Sequence, residues 1–249
     1  VKGLKVYGKT DVGKVRESNQ DNMVFRQLDE GCLYAVVCDG MGGHNGGNVA
    51  SELAVRTFDA SLSTSYDDFA RSRSVETLLR KVIKHTNETV FAVSLKDAGL
   101  RGMGTTVVMT YVLDGKAYIA HVGDSRAYLY DGDSLSRLTR DHSIVQQMLD
   151  DGEITEEESK THPYRHVITR VLGFTSEVEA DIDKTEFSPT DIILLCSDGL
   201  TNMLEDAEIE SVFESVPAER VCDELVSRAL KNGGTDNVTA VIVCGDEIE

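Results

Sequence analysis

Two segments of the chain are apolar residue after residue and then stop at the same polar pair. CLYAVVC, residues 32–38, runs into Asp39-Gly40, and DIILLCS, residues 191–197, whose apolar stretch is IILLC, runs through Ser197 into Asp198-Gly199. An uninterrupted apolar run of this length marks a strand covered on both faces. Such strands cannot sit in a sheet with one side in water, so the chain must stack layers on both sides of its sheets.

Around these runs, strands come in groups and helices in pairs. Strands are expected at 4–9 and 22–28. A helix is expected at about 47–62, with Val49, Leu53, Phe58 and Leu62 near helical spacing, and a second at about 74–95. Four strands follow, at 104–113, 116–122, 126–130 and 134–138. Asp114-Gly115 and Asp131-Gly132 lie between them and signal hairpins, which makes this part an antiparallel meander. A polar, acidic stretch at 141–176 should hold short helical pieces at best. Strands at 179–187 and 191–197, helices at 206–215 and 218–231, and a strand at 237–244 complete the pattern. Grouped strands argue against repeating βαβ units. The expected fold is α+β, a four-layer sandwich of two packed, mainly antiparallel sheets flanked by helices. No linker-like stretch or internal repeat divides residues 1–249, so a single domain is expected.

Acidic residues outnumber basic ones by 43 to 25, a formal charge of −18. That surface repels phosphate backbones and anionic lipid, so neither nucleic acid nor a membrane is expected as a partner. The excess has two readings: solubility over most of the surface, or carboxylates gathered for divalent cations. Cys32, Cys38, Cys196, Cys222 and Cys244 are an odd set with no Cys-x-x-Cys pair, as in a reducing cytosol. No signal-like start or apolar run near 18 residues occurs, so a cytoplasmic protein is expected.

Four aspartates stand at strand ends: Asp39, Asp124 and Asp198 after apolar segments, and Asp236 before one. Glycine adjoins or nearly adjoins each, as Gly40, Gly123, Gly199 and Gly233-Gly234, letting the backbone turn and approach an ion. A lone Asp-Gly is a plain turn, as Asp114-Gly115 and Asp151-Gly152 illustrate. The four differ because they terminate the most buried strands, where unpaired carboxylates are costly and a shared cation satisfies several. In antiparallel pairing Asp198 and Asp236 can meet across a ladder. Oxygen-only ligands suit Mg²⁺ or Mn²⁺. His44, in the loop DGMGGHNGG, is either a proton donor or an ordinary surface histidine. Arg16 has the fork of donors that grips phosphate, and Asp21 can orient a water; each is equally readable as a surface residue.

Taken in order, RESNQD (16–21), DGMGGH (39–44), GMGTT (102–106), HVGDSRAYL (121–129), LTRDHS (138–143), TRVLG (169–173), SDGL (197–200) and GGTDNVT (233–239) resemble the type 2C, metal-dependent serine/threonine protein phosphatases, in their bacterial form. The motifs span nearly the whole chain. The resemblance implies a two-metal centre with Asp39 bridging both Mn²⁺ or Mg²⁺ ions. Asp198 and Asp236 would complete the first ion, the Gly40 carbonyl would serve the second, and Asp124 with Asp198 would take a third. It implies that Arg16 holds the substrate phosphate, Asp21 bonds water at the centre and His44 is the candidate general acid. It further implies attack by a metal-bridged hydroxide on phosphoserine and phosphothreonine, and a monomer that opposes a bacterial serine/threonine kinase. Residues 141–176 resemble the family's flap. Two positions depart from the pattern: Gln20 stands where many relatives have Glu, and Met41 where eukaryotic members have a histidine. Rival readings are a non-catalytic phosphoprotein-binding member, a metal-dependent nuclease, which the acidic surface disfavours, and a developmental regulator acting on one phosphoprotein.

Overall fold

The computed structural model describes residues 3–69 and 74–245, with the side chains of 43–45 and 65–69 outside that description. Its strands are β1 (Leu4–Asp11), β2 (Asp21–Asp29), β3 (Cys32–Met41), β4 (Gly104–Thr105), β5 (Val107–Leu113), β6 (Lys116–Val122), β7 (Arg126–Tyr130), β8 (Leu135–Arg137), β9 (Asp181–Glu186), β10 (Ile192–Cys196) and β11 (Val238–Gly245). Its helices are α1 (Gly43–Phe69), α2 (Val75–Lys96), α3 (Ile144–Asp150), α4 (Glu156–Thr161), α5 (Asp198–Thr201), α6 (Asp206–Ser215) and α7 (Ala218–Lys231). Among the described residues one sheet has the order β1-β11-β10-β7-β8 and the other β2-β3-β5-β6-β9, with β4 paired to the end of β3. All of these pairings are antiparallel.

The unbroken apolar runs are explained by which way alternate side chains point. In β3, Leu33, Ala35 and Val37 face the second sheet and share a core with Ile193, Leu195, Val241 and Val243. Cys32, Tyr34, Val36 and Cys38 face the other way, under Phe58 and Leu62 of α1 and Leu79 and Ile83 of α2. In β10, Ile192, Leu194 and Cys196 lie under Val221, Leu225 and Ala229 of α7. Both faces of both strands are therefore dry, and the four-layer sandwich stands. Each buried Leu, Ile or Val contributes about 1.5–3 kcal/mol, so alternation with polar residues would be costly on either face. The five cysteines are free and buried in these layers.

Local departures from the expected pattern gather near one end of the sandwich. The first helix begins at Gly43 rather than near 47, because the glycines permit it to start against β3. A Cβ on Gly47 would crowd the Gly40 carbonyl and Gln20, and one on Gly40 would overlap the Gly47 carbonyl. The expected strand 104–113 is broken at Thr106, which is held by Asp39: the Thr106 N–H donates to the Asp39 carbonyl at 2.8 Å, and the Asp39 N–H to Thr106 Oγ1 at 3.0 Å. Asp114-Gly115 forms the expected two-residue hairpin, both at positive φ. Asp131-Gly132 instead opens a four-residue loop, with Asp131 Oδ1 accepting from the N–H groups of Asp133 and Ser134. Residues 141–176 hold the short helices α3 and α4, capped by Ser143 and Thr155.

Candidate active site

The chain ends of the two sheets meet where the aspartates lie. Asp21 opens β2 and pairs in register with Asp39 near the end of β3. Asp198 is the first residue of α5, one residue beyond β10, and Asp236 precedes β11, the neighbour of β10. Gly199 lies against this turn, where a Cβ would overlap the Asn237 carbonyl and touch Asp236. Asp124 sits in the turn from β6 to β7, after Gly123, whose φ of 109° is open to glycine.

Arg16 comes from the segment between β1 and β2, and Asn237 fixes that segment in place. The Asn237 amide donates to the carbonyls of Val12 (2.9 Å) and Ser18 (3.0 Å), and its oxygen accepts from the Gln20 N–H (2.8 Å). The Lys14 N–H adds a bond to the Gly234 carbonyl at 2.7 Å. Arg16 Nη2 then donates to Asp236 Oδ2 at 2.7 Å. The fork has five N–H donors, so this bond orients it while leaving donors for another anion.

The carboxylates strain one another electrostatically. Burial holds Asp39 well above the usual carboxylate range, and the charges of Asp21, Asp198, Asp124 and Asp236 add to it. Asp198 is raised by burial and then by Asp236, partly offset by hydrogen bonding with Asp39 and Asn202 and by His166. Asp124 is raised well above normal by burial and by Asp198. Asp21 is pushed up to about 7 by burial, against the pull of two hydroxyls. Ser197 Oγ and Thr239 Oγ1 both donate to Asp21 Oδ2, each at 2.7 Å. Asp21 Oδ1 and Asp124 Oδ1 are buried with no hydrogen-bond partner. Clustered carboxylates, two orphaned oxygens and oxygen-only chemistry are a set that hard divalent cations would satisfy. The donor set therefore fits Mg²⁺ or Mn²⁺.

The structure brings Arg16, Asp21, Asp39, Gly40, Asp124, Asp198 and Asp236 to one place. His44 lies in the first turn of α1, and its side chain falls outside the described residues. Three further participants have no signal of their own in the sequence. Ser197 and Thr239 satisfy Asp21, and Asn237 positions Arg16; their motifs are legible, but their tasks depend on contacts more than 40 residues away.

A second titratable group supports the turn that carries Asp124. His121 and His142 stack with ring centroids 4.6 Å apart. The Gly123 N–H donates to His142 Nδ1 at 3.1 Å, while the His142 N–H donates to the Gly123 carbonyl at 2.9 Å. With Nδ1 accepting, the ring proton belongs on Nε2, which faces Asp181 Oδ2 at 3.3 Å. Arg170 donates to Asp181 Oδ1 at 2.8 Å. His121, His142 and Asp181 have ligand atoms close enough together for a metal ion. The guanidinium of Arg170, 3.1 Å from His142 Nε2, already supplies the positive charge there.

Known proteins share this sequence pattern and this fold. The sequence pattern of protein phosphatase 2C matches residues 13–239. The serine/threonine phosphatase stp of Listeria welshimeri is 40% identical over 238 residues, 94% of this chain and 93% of that protein. The structure of the serine/threonine phosphatase Stp1 from Staphylococcus aureus superposes with a TM-score of 0.89 at 34% identity, covering 97% of this chain and 94% of that one. The catalytic domain of the serine/threonine phosphatase PstP, solved with two manganese ions, superposes with a TM-score of 0.83 at 32% identity, over 97% of each chain. By sequence and by fold, the chain belongs to the protein phosphatase 2C family and is a metal-binding serine/threonine phosphoprotein phosphatase.

Proposed function

We propose that the chain removes phosphate from phosphoserine and phosphothreonine at a centre built on Asp39, with two Mn²⁺ or Mg²⁺ ions and a third at Asp124. The observation that carries this reading is the convergence of Asp39, Asp198, Asp236 and Asp124 with Arg16 at the paired ends of two sheets. Asp39 would serve both ions, Asp198 and Asp236 the first, the Gly40 carbonyl the second, and Asp124 with Asp198 a third. When bound, such ions would lower the pKa of water at the centre and so supply a nucleophile at neutral pH. The chain's residues do the rest. Arg16 binds the equatorial phosphoryl oxygens with the donors not engaged by Asp236. Asp21, anchored by Ser197 and Thr239, turns its free oxygen to a water at the centre. His44 is the proposed proton donor to the leaving serine or threonine oxygen.

The manganese in the PstP structure favours Mn²⁺ as the first ion to try. Residues 1–249 would work as one catalytic domain with 141–176 as a flap, as a monomer in the cytoplasm, opposing a serine/threonine kinase. No helix among the described residues is long and apolar enough to cross a membrane. The direct test is hydrolysis of an aryl phosphate and a phosphothreonine peptide with Mn²⁺, with and without chelator. Turnover that survives chelation would contradict the metal mechanism, and absence of turnover with every divalent ion would contradict the assignment of the site.

A further inference from the structure

A groove of about 340 Å³ opens beside the catalytic residues, between Met41 and the segment 168–179. Its position is set by hydrogen bonds leading away from Asp39. Gly40 and Met41 pair with Thr105 and Gly104 of β4. Thr105 in turn exchanges both backbone bonds with Leu172, at 3.1 and 2.9 Å. The far wall is tied to α2 by buried Asn87, whose side chain accepts from the Gly173 N–H and donates to the carbonyls of Thr175 and Ser176. Hydrogen bonds thus tie both walls of the groove to the strand that carries Asp39 and to α2.

Its lining is apolar at one place and acidic at another. Met41 and Phe174 are 38% and 58% exposed, unusual for large apolar side chains, and Val171, on the same segment as Phe174, joins them in the lining. Glu177 and Glu179 are exposed on the same wall. Arg170, the cation in this lining, is bound to Asp181, while Arg80 and Lys84 of α2 share an adjoining depression with the same two carboxylates. An apolar contact beside two carboxylates that make no ion pair among the described residues complements a peptide carrying one apolar and one basic side chain.

We propose that this groove selects phosphoprotein substrates in which the phosphorylated residue is flanked by an apolar and a basic side chain. The apolar side chain packs on Met41 and Phe174, and the basic one pairs with Glu177 and Glu179. The proposal rests on the phosphatase reading of the neighbouring aspartates, so its test must separate the two.

Three phosphothreonine peptides would be compared with an aryl phosphate, using the full chain with Mn²⁺: one with apolar and basic flanks, one with apolar and acidic flanks, one flanked by glycine. Phe174→Ala should raise KM for the apolar-flanked peptides roughly ten-fold and leave the glycine peptide and aryl phosphate unchanged. Glu177→Lys with Glu179→Lys should reverse the order of the basic and acidic peptides, again without effect on the aryl phosphate. The same peptides, labelled and titrated by fluorescence anisotropy, read the groove without turnover. An inactive metal centre with the expected binding order would sink the mechanism and keep the groove. Equal affinity for all three peptides, or an order that neither variant alters, would overturn the groove.

Discussion

Asp21 stands directly opposite Asp39 in the antiparallel ladder between β2 and β3. Like charges facing each other across a ladder destabilise it, and after burial Asp21 is the largest influence raising Asp39. The fold holds the pair because buried hydroxyls tie Asp21 from the other sheet and apolar packing fixes both strands.

This arrangement makes the metal-free protein sensitive to pH in an uncommon direction. The folded Asp21 has its pKa raised to about 7, above that of an unfolded aspartate. Between those values the folded state binds the extra proton, so this contribution is full in acid and is lost as pH rises through about 7. Its size is on the order of a few kcal/mol. With chelator present, the melting temperature of wild type relative to Asp21→Asn should therefore fall between pH 5 and pH 8, and Mn²⁺ should abolish the fall. A difference that does not change with pH would contradict the reading of Asp21.

Asp198→Asn tests the opposition between stability and function. Removing one of several repelling charges should leave the chelated protein as stable as wild type or more so. Turnover should fall at least about 100-fold, and the thermal shift on adding Mn²⁺ should shrink. Thermal melts with and without metal, beside aryl phosphate kinetics, give both numbers. A variant that melts lower in chelator yet keeps its metal response would refute the assignment.

Arg16 should show the converse separation. Its ion pair with Asp236 joins side chains 54% and 30% exposed, so Arg16→Ala should change stability by less than about 1 kcal/mol. Phosphate binding should suffer far more, with kcat/KM down roughly 10- to 100-fold, and Arg16→Lys should recover only part because a point charge cannot replace the fork. Steady-state kinetics beside urea unfolding would check it, and equal losses in both would count against the proposed role.

Glycine marks where the backbone of the site has no spare room. A Cβ on Gly199 would overlap the Asn237 carbonyl, so Gly199→Ala must separate α5 from the start of β11 and carry Asp198 away from Asp236. Loss of most activity and of several degrees in Tm is expected. Gly152, at φ 71° with nothing within 4 Å of a built Cβ, should accept alanine at roughly 1–2 kcal/mol with activity intact. Comparable damage from both would mean that crowding at Gly199 is not what matters.

The sequence disclosed the parts of this fold whose physics is local. Cys32–Cys38 and Ile192–Cys196 read as doubly buried strands because every side chain in them is apolar, and Asp114-Gly115 as a hairpin because both residues tolerate positive φ. The start of α1 was hidden, since its glycines lower helix propensity and only their packing against Gly40 and Gln20 explains them. The break at Thr106 was hidden for a similar reason: its bonds reach Asp39 and Ser125, far away in sequence. The aspartates were legible because glycine flanks them at strand ends. Ser197, Thr239 and Asn237 were not, because a hydroxyl or amide shows its role only when its partner is in view.

His142 offers the last test, of how the turn bearing Asp124 is held. Its ring nitrogen and its backbone N–H grip both polar groups of Gly123, while its carbonyl accepts from the Thr169 N–H at 2.7 Å. Burial, then the neighbouring His121, lower its pKa and keep the ring neutral, which leaves Nδ1 free to accept. His142→Ala would strand the buried Gly123 N–H, a loss of roughly 1–3 kcal/mol, and open a cavity beside His121. The melting temperature should drop by several degrees. The concentration of Mn²⁺ needed for half activation should rise as well, because Asp124 follows Gly123 directly. His142→Asn places a carbonyl oxygen on a shorter side chain and should restore part of both. A lower Tm with an unchanged Mn²⁺ midpoint would show that His142 supports the sheet without positioning Asp124.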